Sequence, residues 1–161
     1  MQELLALAEG LPRRTLAPGE QLVGDGDIAD VLYVLLEGAL RIEKAGVAIT
    51  TVAEPGACIG EMSLLLDIPA TTDVVALEAS VVAVADDARR RIDEDQVLSL
   101  ALARMLASRL HLMTTYLADL KNQYAEHEGG LGMVDKVLGS LMRSPTTRTR
   151  LASERDPHPE Y

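Results

Sequence analysis

At 161 residues and 17.3 kDa the chain has room for one ordinary domain and an appendage, and a multidomain enzyme is not expected. Its 15 Lys and Arg against 25 Asp and Glu leave a net charge of −10, whose long-range field opposes binding to nucleic-acid phosphates and to anionic membranes. Phe and Trp are absent and Tyr occurs only 4 times, so the core must be built from Leu, Val, Ala, Ile and Met, and no aromatic platform for single-stranded nucleic acid is available.

Residues 1–9 carry Leu4, Leu5, Leu7 and Ala8 in a short amphipathic pattern, a lead-in helix ending near Gly10 and Pro12. The start lacks the basic opening and apolar run of a signal peptide, and Cys58, alone in the chain, has no partner for an internal disulfide. These features, with no uninterrupted apolar run of membrane length, give the expectation of a cytoplasmic protein with no membrane partner.

From Arg14 the pattern changes to brief strands separated by turn residues. Residues 14–16 precede the turn Ala17, Pro18, Gly19, Glu20, and residues 21–23 precede the polar turn Gly24, Asp25, Gly26, Asp27. Residues 31–36 are continuously apolar and predict a buried strand, which Glu37 and Gly38 reverse into the alternating residues 39–43. Gly46 turns the chain into 47–52, and two further strands are predicted at 72–76 and 80–85. Short strands at this spacing predict a small antiparallel sandwich or barrel.

Between these strands the period changes. Glu54, Pro55 and Gly56 form a turn, Ile59 and Gly60 leave a strand, and residues 61–66 can form one or two helical turns before Pro69 blocks continuation. A helix opening on Gly60 and Glu61 leaves its first backbone N–H groups unpaired and favours an anion there.

The segment Gly60-Glu61-Met62-Ser63-Leu64-Leu65, with Pro69 and Val74, resembles the phosphate-binding cassette of the cyclic nucleotide-binding domains, the sensor modules of catabolite-activator-type (Crp/Fnr-like) regulators, gated channels and kinase regulatory subunits. The resemblance implies a mainly β fold with added α: an antiparallel, jelly-roll-like β-roll with a cassette helix and a long C-terminal dimerisation helix. It implies that Gly60, Met62 and Ser63 offer backbone N–H groups to a cyclic phosphate and that Glu61 accepts from a ribose hydroxyl. Thr71 and Thr72 can give hydroxyls to a phosphate or a purine edge, and Thr114 and Thr115 fall where relatives contact the base. Where the family carries a phosphate-pairing Arg, this chain has Ala70.

From Asp86 the composition favours helix. Residues 87–91 predict a short helix, whose Arg89, Arg90 and Arg91 are flanked by acids and form local ion pairs. Residues 94–127 hold no Pro or Gly before the stop at Gly129 and Gly130, which predicts a helix of roughly 50 Å at 1.5 Å per residue. Leu106, Leu110, Met113, Leu117, Leu120 and Tyr124 form a coiled-coil seam, and Leu98, Leu102, Met105, Leu112 and Tyr116 form a stripe on another face. Two apolar faces need two partners: the β-roll and a second copy of the helix. Leu131, Val134, Val137, Leu138 and Leu141 make one more short helix, and residues from Ser144 onward predict a disordered tail.

The expected division is therefore a β-roll with short flanking helices over 1–93, a dimerisation helix over 94–128, a short helix over 129–143 and a tail over 144–161. No helix-turn-helix follows the long helix, so no DNA-binding role is expected. His111, His127 and His158 are scattered, no pair has metal spacing, and Ser63 lacks the glycine that follows the nucleophile of a nucleophile elbow. No catalytic residue, metal or cofactor is expected. Two functions remain: a homodimeric regulatory module sensing cyclic AMP, cyclic GMP or a related small anion and signalling to a downstream protein, or a degenerate fold that acts as a constitutive protein–protein interaction module.

Overall fold

A computed structural model describes residues 2–123 and 131–141. Thirteen elements follow in order: α1 (Gln2–Ala8), β1 (Arg13–Leu16), β2 (Gln21–Val23), β3 (Val31–Glu37), β4 (Leu40–Lys44), β5 (Val47–Val52), β6 (Cys58–Ile59), α2 (Glu61–Leu66), β7 (Asp73–Ala76), β8 (Ser80–Asp86), α3 (Ala88–Glu94), α4 (Gln96–Gln123) and α5 (Leu131–Leu141). Eight strands form two antiparallel four-stranded sheets, ordered β1-β8-β3-β6 and β2-β7-β4-β5. The mainly β fold with a cassette helix and a long C-terminal helix is thus present.

Strand alternation divides the core in two. Leu16, Leu35, Leu40, Ile59, Val74 and Val82 point between the sheets, while Leu32, Cys58 and Ala85 point outward from the first sheet onto Leu4, Leu64, Ala88, Leu98, Ala101 and Leu102 of the helices. The first sheet is therefore buried on both faces, which is why β3 reads as an unbroken apolar run.

The first compact unit extends through Met1–Ser108, beyond the expected boundary at 93, because the first turns of α4 complete the helix-covered core. Arg109–Tyr161 form a second unit. The continuous helix expected from Glu94 is broken at Asp95, whose backbone is extended and whose Oδ1 accepts from the N–H groups of Val97 at 2.9 Å and Leu98 at 3.1 Å. Asp95 thus caps α4, and Glu94 belongs to α3.

Along α4 the second stripe divides. Leu98 and Leu102 are buried and Met105 packs beside them, whereas Leu112 and Tyr116 are exposed. On the other seam Leu110 and Met113 are exposed and Leu106, Leu117 and Leu120 half-buried. Although no uninterrupted apolar run of membrane length is legible in the sequence, Gln96–Lys121 is long and apolar enough, by length and composition, to cross a bilayer, with 17% of its apolar window buried. Arg104 and Arg109 interrupt that stretch, and Arg104 pairs with Glu3 of α1 at 2.7 Å. Tyr124, the stop at Gly129 and Gly130, and the tail from Ser144 lie outside the described residues.

Candidate functional site

The cassette begins where β6 ends against β3. Gly60 turns the corner with φ 98°, and a Cβ there would stand 2.8 Å from the Val31 carbonyl oxygen, so only glycine fits between the strand and the helix. The first helical hydrogen bond runs from the Leu64 N–H to the Gly60 carbonyl at 3.2 Å, leaving the N–H groups of Glu61, Met62 and Ser63 ahead of it without intrahelical acceptors. Asp67 ends α2 in the left-handed conformation with its N–H on the Ser63 carbonyl. Pro69 follows the helix by three residues, as the sequence requires.

The structure brings some of the expected site residues together. Gly60, Ser63 and Ala70 share the wall of one cavity with Leu22, Val23, Asp27, Ala29, Val31 and Tyr33. Glu61, beside them in sequence, is 3% exposed, whereas the Met62 side chain next to it faces solvent. Thr71 is exposed, its carbonyl accepting from Lys44 Nζ at 3.1 Å, and Thr72 is half-buried outside the cavity wall. In the second unit Thr114 Oγ1 donates to the Leu110 carbonyl at 2.8 Å and Thr115 Oγ1 to the His111 carbonyl at 3.0 Å, so both hydroxyls are engaged within their own helix.

Two features were not legible in advance. The polar turn before β3, read only as a turn, is a wall of the cavity: the exposed Asp27, whose Oδ2 accepts the Gly24 N–H at 2.7 Å, is one of the lining residues. The other is size. The cavity holds ≈ 40 Å³, against roughly 300–1,000 Å³ for ordinary ligand clefts.

Of the arginine run only Arg90 makes the local ion pairs expected from its flanking acids; Arg91 donates instead to the Asp86 carbonyl. Arg89 pairs with Asp67 at 2.6 Å, tying α3 to the end of the cassette helix, and Arg90 pairs with Asp87 and Glu94. All three pairs are exposed and contribute about 0–1 kcal/mol each. Among the described residues no three His, Cys, Asp or Glu side chains gather as a metal site.

Residues 13–90 match the family model of the cyclic nucleotide-binding domain. This β-roll and its cassette belong to that family. A cAMP-dependent protein kinase regulatory subunit from Debaryomyces hansenii is 30% identical over 82 residues, 51% of this chain and 18% of that protein. The N-terminal domain of a transcriptional regulator from Streptomyces coelicolor is 28% identical with a TM-score of 0.52, over 70% of this chain and 84% of that one. The catabolite activator protein of Thermus thermophilus, 24% identical with a TM-score of 0.59, shares the fold over 74% of this chain and 59% of its own. The chain therefore spans under a fifth of the curated kinase subunit it matches. Within the family's cassette, Gly60 and Glu61 keep the strand-to-helix corner, and Ala70 stands where the phosphate-pairing arginine is expected.

Proposed function

We propose that the chain is a regulatory sensing module whose cassette takes a cyclic nucleotide, cyclic AMP or cyclic GMP, or a related small anion, and signals through a homodimer formed along α4 to a downstream protein. The observation that supports this reading is the corner at Gly60, which opens α2 with Glu61 in its first turn and lines one cavity with Ser63 and Ala70. Glu61 would take a ribose hydroxyl, and the leading N–H groups of α2 the phosphate.

The same geometry makes the site weak. A cavity of ≈ 40 Å³ must widen to admit a nucleotide, and hydrogen bonds between Ala70 and the turn carrying Asp27 hold one of its walls in place. Losing a charge-assisted phosphate contact costs about 1.5–3 kcal/mol, one to two decades of affinity. The large apolar side chains left exposed on α4, Leu110, Leu112, Met113 and Tyr116, support the dimer. Regulation then requires that ligand entry and the α4 pairing favour the same state of the cassette.

A second reading, an interaction module that binds no nucleotide, is favoured by Ala70 and by the small size of the cavity that it lines. Calorimetric titration with cyclic AMP and cyclic GMP separates the two. Saturable heat with either nucleotide supports the sensor; no heat and no rise in melting temperature with both retires it.

A further inference from the structure

We propose that the cleft between α1 and the helix-covered face of the first sheet is a second ligand site, one that takes an amphipathic monoanion with an aliphatic body and a carboxylate head. The cleft measures ≈ 590 Å³, within the range of roughly 300–1,000 Å³ usual for small-molecule sites and far larger than the cassette cavity. Its walls are mixed: Leu4, Leu7, Leu11, Leu32 and Leu98 give an aliphatic side, and Arg90, Arg91, Glu94, Asp95 and Gln96 a polar one. Among the described residues no aromatic ring lines it.

The rim carries charge, and most of that charge is already matched. Arg90 pairs with Asp87 and Glu94, and the Asp95 carboxylate accepts two N–H groups at the start of α4. Arg91 is different. Its Nε donates to the Asp86 carbonyl at 2.8 Å, and among the described residues no carboxylate pairs with it. A cleft with one aliphatic side and, at its mouth, a guanidinium that no carboxylate pairs with among the described residues matches a ligand of complementary build: a chain that lays its methylenes on the leucines and a carboxylate that meets Arg91 bidentately. A polyanion fits worse, because Glu94 and Asp95 share the rim.

Titration of the full chain with dodecanoate below its micelle concentration, against the neutral dodecanamide of the same length, tests the assignment. A single equivalent of dodecanoate binds, the amide binds about tenfold more weakly, and Arg91→Gln brings dodecanoate down to the affinity of the amide without changing the amide. Arg91 is exposed, so that variant keeps the fold. Leu11→Trp, which fills the cleft, abolishes binding of both compounds, and cyclic AMP displaces neither, which keeps this site distinct from the cassette. Absence of heat with dodecanoate, binding of several equivalents, or equal affinity in the Arg91→Gln protein overturns the proposal.

Discussion

Ala70 is held by the turn that carries Asp27: its N–H donates to the Asp27 carbonyl at 2.8 Å, and its own carbonyl accepts from the neighbouring Gly26 N–H at 2.7 Å. The residue that replaces the family's cation is thus also the residue that closes the cavity. Ala70→Arg restores the charge and should tighten cyclic nucleotide binding by one to two decades, about 1.5–3 kcal/mol. Because Asp27, an acid, is among the residues that line the same cavity, Ala70→Arg with Asp27→Asn should bind more tightly still. Calorimetry that finds no heat in either variant leaves the introduced guanidinium without an anion and removes the sensor reading.

The corner of the cassette is sterically set. Gly60→Ala must both adopt φ 98° and place a methyl 2.8 Å from the Val31 carbonyl oxygen. A loss of about 2–5 kcal/mol in urea unfolding is the expected result. Gly46, at φ 76° with open space around its missing Cβ, provides the comparison, and Gly46→Ala should cost only about 1–2 kcal/mol. Equal losses at the two sites would mean that the approach to Val31 does not constrain the corner.

The two halves of the apolar pattern on α4 should respond differently. Leu102 is 1% exposed in the helix-covered core, so Leu102→Ala should cost about 2–5 kcal/mol. Val97, 63% exposed on the same helix, should give a change within about 0.5 kcal/mol on conversion to Ala. Thermal and urea unfolding of both variants reads this directly.

Dimerisation is tested further along the helix. Leu110→Glu combined with Met113→Glu introduces charge at positions 45% and 57% exposed, so it leaves the monomer's core untouched. Light scattering should give twice the chain mass for the unmodified protein and the chain mass for the double variant. A monomeric unmodified protein sinks the homodimer.

Acid should loosen the turn between β1 and β2. The Ala17 N–H, 2.9 Å from Glu20 Oε2, together with Arg14, 2.9 Å from Oε1, holds the Glu20 carboxyl below its usual range. A carboxylate whose pKa is depressed on folding stabilises the native state at neutral pH, and that contribution disappears as pH falls through the depressed value. Glu20→Gln should therefore flatten the acid side of the stability profile while leaving its alkaline side unchanged. An identical acid limb in both proteins would show that the turn does not sense pH.

The sequence by itself determined the strand order along the chain, the switch to helix after Asp86 and the cassette, because each rests on a local period or on a residue with a restricted backbone. Gly60 and Pro69 fix their turns wherever they occur, and the alternation of 39–43 and the unbroken run 31–36 declare one buried face or two. The double stripe on the long helix was legible in the same way. What only the tertiary structure decided depends on residues far apart in sequence. The Asp27 turn lies against Ala70, 43 positions on, and no period links them, so the size of the cavity and the turn that walls it appear only when the sheets close. The same holds for Asp95, whose side chain breaks one long helical pattern into two helices, and for the cleft beneath Arg91, which exists only because α1 and the start of α4 cover the same face of the first sheet. Local periodicity specifies which face of each element is apolar; which faces meet, and how much space they leave, is set by packing.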